Sequence, residues 1–283
     1  MPRMRLLRST ARRLLPPQPE VRALALADLV GSLGWGAFVA GSAVFFTRSV
    51  GLSAAQVGIG LSLAGGLGFA VAVPGGRLVD RAGPRRILVV AGAIGIAGYC
   101  SYAIVDSFAG FLVVISVLGI VNRFDRIAIG ALVAGLLAQG DRGKASAYLR
   151  SVSNLGFSVG AGLAGIVLAI DTRPAYLALP FGTALTGLAV ILLRNRLPVV
   201  SPAPPHRAGD RRWVALRDRP FVALTALFGV ARLDAAILDI GLPLWIIHHT
   251  TAPRPLVAWL VIVNTALVIL LQVRAARGSD TMQ

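Results

Sequence analysis

Cysteine occurs once, at Cys100, lysine once, at Lys144, and histidine three times, at His206, His248 and His249. One thiol cannot close a disulfide within the chain, and no CxxC, HExxH or comparable ligand spacing occurs, so disulfide scaffolds and structural metal centres are excluded and no metal or cofactor is expected. Charge is also scarce, at 14% of 283 residues against about 25% in soluble domains. Apolar residues make up 56% and mean hydropathy is +0.76, which rules out an ordinary soluble enzyme. Acids are fewest, 12 against 28 basic residues, for a net charge of +16 and a pI near 11.7. So basic a balance often points to nucleic acid. In a chain this apolar the arginines read instead as topology determinants in contact with anionic headgroups, and no nucleic-acid partner is expected.

What the chain does have is long apolar runs. A bilayer core of about 30 Å takes roughly 20 apolar residues in a helix, and eight such runs are predicted, at 23–47, 54–76, 86–105, 108–138, 145–170, 174–194, 220–247 and 255–273. Alternating the loops between sides puts 22 basic residues on one side and three, Arg48, Arg173 and Arg254, on the other, with Arg123, Arg126 and Arg232 inside spans. Cytoplasmic loops retain Arg and Lys, so both termini are expected in the cytoplasm and the chain in the plasma membrane. The basic tail 1–22 reads as leading into an uncleaved first helix, because the apolar run that follows is too long for a signal peptide and shows no Ala-x-Ala site. Residues 195–219, rich in Pro and Arg, cannot sustain a helix throughout. They read as a cytoplasmic linker between a six-helix bundle over 23–194 and a helix pair over 220–273, with a short tail at 274–283.

Between the second and third runs stands Gly75-Gly-Arg-Leu-Val-Asp-Arg-Ala-Gly-Pro-Arg-Arg86. Gly76 is expected to allow close helix approach, Gly83 to take a positive φ in the turn, and Pro84 to open the next helix, where proline is tolerated. The spacing of Gly76, Asp80, Arg81, Gly83, Arg85 and Arg86 resembles the signature loop of the major facilitator superfamily, with Pro84 a departure from it. The resemblance implies an all-α integral membrane bundle and a conformational role for the motif, its Asp and Arg forming a charge relay with neighbouring helix ends. It also implies twelve helices, of which about eight are found here, so a C-terminal truncation is favoured over an oligomer that supplies the missing wall.

Charges within spans mark the candidate site. In the fourth run Asn122, Arg123, Asp125 and Arg126 fall within an arc of roughly 160°, and because buried charge in a membrane is costly this face is expected to look into a central cavity. Arg123 or Arg126 resembles the antiporter arginine of the family. An internal Arg–Asp pair that only fixes packing is the other reading. Arg232, Asp234 and Asp239 in the seventh run offer either proton coupling or ion pairing across the cavity, and Asp28 in the first reads as a hydrated charge near the helix end. Gly156 and Gly160 form a GxxxG pair that resembles the glycine-rich fifth-helix motif of antiporters, without its proline. Together with these features, the resemblance implies proton-coupled efflux of a small solute by alternating access. The rival reading is a transport-incompetent remnant or membrane interaction protein. A membrane-embedded enzyme is disfavoured, since His248-His249 has no acidic neighbour, and no P-loop pattern suggests an ATP-driven pump.

Overall fold

The computed structural model describes residues 19–137, 139–198 and 217–231, and the chain divides into two compact units at Ala203/Pro204. The described part of the first unit is all helical: α1 Pro19–Val44, α2 Ala54–Ala70, α3 Ala72–Ala82, α4 Pro84–Ser101, α5 Phe108–Leu136, α6 Gln139–Ile170 and α7 Arg173–Arg194. The described part of the second unit is one helix, α8 Arg219–Ala231. Among the described residues four helical segments are long and apolar enough to cross a membrane, namely Pro19–Ser49, Phe108–Leu136, Ala145–Ile170 and Arg173–Arg194, and the bent pair α2–α3 makes a fifth if it is one span. Of the eight expected runs, the seventh is described only in its first part and the eighth lies outside the described residues.

Local chemistry sets the helix ends. Ser53 starts α2 through a reciprocal cap, its hydroxyl accepting from the Gln56 amide while the Gln56 side chain accepts from the Ser53 amide. Ser107 caps α5 by accepting from the Gly110 amide. The single run expected over 54–76 is bent by 54° between α2 and α3. Pro74 accounts for the bend, since its ring collides with the carbonyl four residues earlier, at Ala70, where α2 ends. At its far end α1 widens into a π-turn over Phe45–Ser49, which brings both Phe45 and Phe46 fully inside.

Close contacts settle the relative directions of α1, α6 and α7 and of α2, α4 and α5. A Cβ placed at Gly156 would come within 2.5 Å of the Leu29 carbonyl oxygen, and one at Gly160 would overlap the Leu33 carbonyl and come within 2.8 Å of the Ala37 nitrogen, so α1 and α6 run parallel with backbones touching. Gly34 faces Thr183 and Thr186 of α7 while Gly41 faces Leu179, making that pair antiparallel. By the same reasoning α5 runs parallel to α2 (Gly60 on Phe111, Gly119 on Ala64) and antiparallel to α4 (Gly98 on Leu118, Gly95 on Val121).

Two apolar clusters close the ends of this bundle. One gathers Phe38, Phe45, Phe46, Tyr99, Tyr102 and Phe111, largely edge to face, with Phe46 and Phe111 centroids 4.6 Å apart. The other gathers Val21, Leu24, Val79, Leu88, Leu132 and Leu149. The outward faces are apolar as well, with Phe69, Val113 and Leu185 more than half exposed, as lipid contact demands.

Candidate functional site

Helices α1, α4, α5, α6 and α7 line an open cavity of about 820 Å³. Each lining helix contributes a stripe at helical spacing. From α5 come Asn122, Asp125 and Arg126; from α6 Ser146, Arg150, Ser153 and Asn154; from α7 Thr183, Thr186 and Arg194; from α1 Asp28, Ser32 and Trp35. Tyr99 of α4 adds a hydroxyl, and Arg142 sits at the start of α6.

The electrostatic centre of the site is Arg194, the last residue of α7. Its Nη1 lies 2.5 Å from Asp125 Oδ1 and its Nη2 lies 3.5 Å from Asp28 Oδ1, with its own side chain only a tenth exposed. One guanidinium therefore ties α1, α5 and α7 together. Its Nε is buried without a hydrogen-bond partner, so both ion-pair arms must offset the cost of burying the charge. Thr183 adds a neutral tie, donating to the Leu179 carbonyl at 2.8 Å and the Gly34 carbonyl at 3.0 Å.

Several sequence expectations are corrected by this arrangement. Asp125 pairs with Arg194, not with Arg123 or Arg126, and Asp28 is no hydrated helix-end charge, its carboxylate being 12% exposed beside Arg194. The polar face of α5 does not enter the cavity whole. Asn122, Asp125 and Arg126 line it, whereas Arg123, one residue past Asn122, turns toward α2, its Cβ 3.8 Å from a Cβ placed on Gly68, and its Nε is buried without a hydrogen-bond partner. The choice between the two arginines as the cavity cation therefore falls on Arg126.

The signature loop is also resolved residue by residue. Gly83 has φ +83° and Pro84 opens α4, as expected. Gly76 does not permit close approach, since a Cβ there would meet nothing within 4 Å; the close contact belongs to Gly75, whose Cβ would lie 3.2 Å from Phe124 and 3.3 Å from Ile127. The reason is helical phase, which turns Gly75 and Val79 toward α5 and Gly76 away. Arg85 donates to the Asn195 carbonyl and, at 3.1 Å, to the Asn195 side-chain oxygen, placing a cation where the end of α7 leaves carbonyls free. Arg142 does the same for α5, donating to Leu137 and Ala134 carbonyls at 3.1 and 2.6 Å. Asp80 is half-buried and Arg81 and Arg86 are exposed. Gly156 and Gly160 pack on α1, and neither lines the cavity. Arg232, Asp234 and Asp239 lie outside the described residues.

At the opposite end of the bundle, Arg48 Nη1 meets Asp171 Oδ2 at 2.7 Å. Asp171 is a turn residue with φ +48° and also accepts from the Tyr176 hydroxyl. The Tyr176 hydrogen bond, with Arg48 adding to it, holds the Asp171 carboxyl below its ordinary value.

Sequence reasoning missed Arg194, Arg142 and Arg150, which counted only as inner-loop cations, and the hydroxyl stripe of α6. The stripe was findable, because Ser146, Arg150 and Asn154 recur at four-residue steps, with Ser153 three residues after Arg150, on one face of α6.

The sequence profile of the Major Facilitator Superfamily matches residues 24–283. No curated protein matches the chain. Among solved structures, that of the human organic anion transporter MFSD10 (TETRAN) is similar at 20% identity and a TM-score of 0.51, over 66% of this chain and 49% of that one. The chain thus spans about half the length of that structure, and the likeness is one of fold.

Proposed function

The chain belongs to the major facilitator superfamily, and from that premise we propose that it is a secondary transporter which moves a small solute by alternating access, coupled to protons. The observation that carries this reading is the polar cavity inside a bundle with an apolar exterior, where one arginine holds the carboxylates of two other helices. A proton arriving on Asp28 or Asp125 would cancel one arm of Arg194 and loosen α7 from α1 or α5, which gives protonation a mechanical consequence. Efflux is the direction supported by the likeness of the α6 glycine run to the family's antiporter motif. Members of this family and fold are typically not enzymes, and this multi-pass chain is read as a transporter of the plasma membrane rather than a catalyst.

Purified chain in proteoliposomes with an imposed pH gradient provides the test. Solute flux that follows the gradient, collapses with an uncoupler and is lost in Asp28→Asn and Asp125→Asn is expected. Flux indifferent to both the gradient and the variants would overturn the coupling, and no flux of any solute class would overturn the transporter reading.

A further inference from the structure

The charges around the cavity do not balance. Among the described residues four arginines line it, Arg126, Arg142, Arg150 and Arg194, against two aspartates, Asp28 and Asp125, a formal surplus of two positive charges. Both aspartates are occupied by Arg194. Arg142 donates to two backbone carbonyls. Arg126 and Arg150 are exposed to the cavity, and among the described residues neither has a hydrogen bond or ion pair. Two guanidiniums with ten N–H donors between them thus face the cavity, and among the described lining residues no carboxylate is left to pair with them.

We propose that this cavity selects an organic anion, its carboxylate, sulfonate or phosphate held by Arg126 and Arg150 and its apolar body lying against Trp35 and neighbouring ring and aliphatic side chains. The inference rests on the transporter reading and deepens it by naming the substrate class of the same cavity. Guanidinium offers parallel donors that match an oxyanion, while the surplus positive charge repels cations of equal size. Arg194 is the wrong residue for this task because both its Nη groups are engaged by Asp28 and Asp125, whereas the free pair lies on α5 and α6, one helix each. Such an anion has two sources, a soluble metabolite or the headgroup of an acidic lipid.

Trp35 lines the cavity, so its emission reports occupancy once Trp213, Trp245 and Trp259 are replaced by Phe in the full chain. That protein, in phosphatidylcholine nanodiscs without any gradient, is titrated with benzoate and with benzylammonium, which share a body and differ in the sign of charge. Benzoate is expected to shift the emission saturably and benzylammonium not at all. The pair Arg126→Gln and Arg150→Gln should weaken benzoate by about a hundred-fold, while Arg126→Lys with Arg150→Lys, which keeps the charge but loses the parallel donors, should fall between that and the parent. Equal or tighter binding of benzylammonium, no binding of either probe, or loss of benzoate in a folded Lys pair would overturn the proposal. Replacing a third of the lipid with phosphatidylglycerol separates the sources: competition with benzoate assigns the site to a lipid headgroup, and an unchanged titration assigns it to a soluble anion. Because no flux is measured, failure here leaves the transporter reading standing, and a failure of flux leaves the anion site intact.

Discussion

Gly160 is a glycine because of what stands opposite it. The Leu33 carbonyl occupies the place where a side chain would begin, whereas Gly162, two residues on, faces open space. Gly160→Leu is expected to lower stability by about 1–3 kcal/mol, read as a drop in melting temperature in detergent, while Gly162→Ala should leave that temperature unchanged or raise it. Arg194 poses a different residue-scale question, since removing one member of a buried charge cluster strands the others. Arg194→Gln should cost about 3–5 kcal/mol, and adding Asp28→Asn and Asp125→Asn to it should recover part of that loss, a sign that a merely exposed ion pair would not show. Asp171 behaves differently again because it is exposed and lies between spans. Its carboxyl is held below the usual carboxylate range, first by the Tyr176 hydroxyl. A lowered value in the folded state means that the contribution of this carboxylate is complete above the unfolded value and fades as pH falls through the lowered one. Asp171→Asn should therefore lower the melting temperature at neutral pH, with the gap to the parent closing in strong acid.

Pro74 turns the second apolar run into two elements. With Ala in its place the Ala70 carbonyl regains a hydrogen-bond partner, and a longer, straighter helix is expected. Spin labels placed on α2 and on α3 should report an increased separation in Pro74→Ala; an unchanged distance would mean that packing of Gly75 on Phe124 sets the bend instead. Much at this scale was legible in the sequence, for local reasons. Gly83 and Pro84 sit where a turn needs positive φ and then a helix start, and the boundaries of α5 and α7 lie within two residues of those expected from the apolar runs. The bend was equally local but lay hidden in a run whose hydropathy does not fall at Pro74. What local sequence does not encode is phase against a partner. That Gly75 rather than Gly76 meets α5, and that Arg123 leaves the cavity while Arg126 enters it, depends on where α2 and α3 lie.

At the scale of the whole bundle, the contact of Arg48 with Asp171 joins two loops that the arginine count places outside, and that of Arg85 with Asn195 joins two that it places inside. In a Cys100→Ser background, a membrane-impermeant maleimide is expected to label Arg48→Cys in intact cells and Arg85→Cys only after permeabilisation; the reverse pattern would invert the proposed orientation. The candidate site was only partly legible, because Asp125 and Arg194 stand 69 residues apart in the chain and nothing in either neighbourhood announces the other. The central place of α1 also bears on how the protein is made. This helix leaves the ribosome before the other described helices, yet its glycine contacts and the partner of Asp28 belong to α6 and α7, the last helices of the unit to be synthesised. At bacterial or eukaryotic elongation rates Asp28 waits roughly ten to thirty seconds for Arg194, with an acidic side chain and bare backbone grooves open to whatever the insertion machinery provides. The order of synthesis thus makes α1 the helix most in need of a temporary companion during biogenesis, since α2, α4 and α5 can pair with one another before α6 and α7 exist.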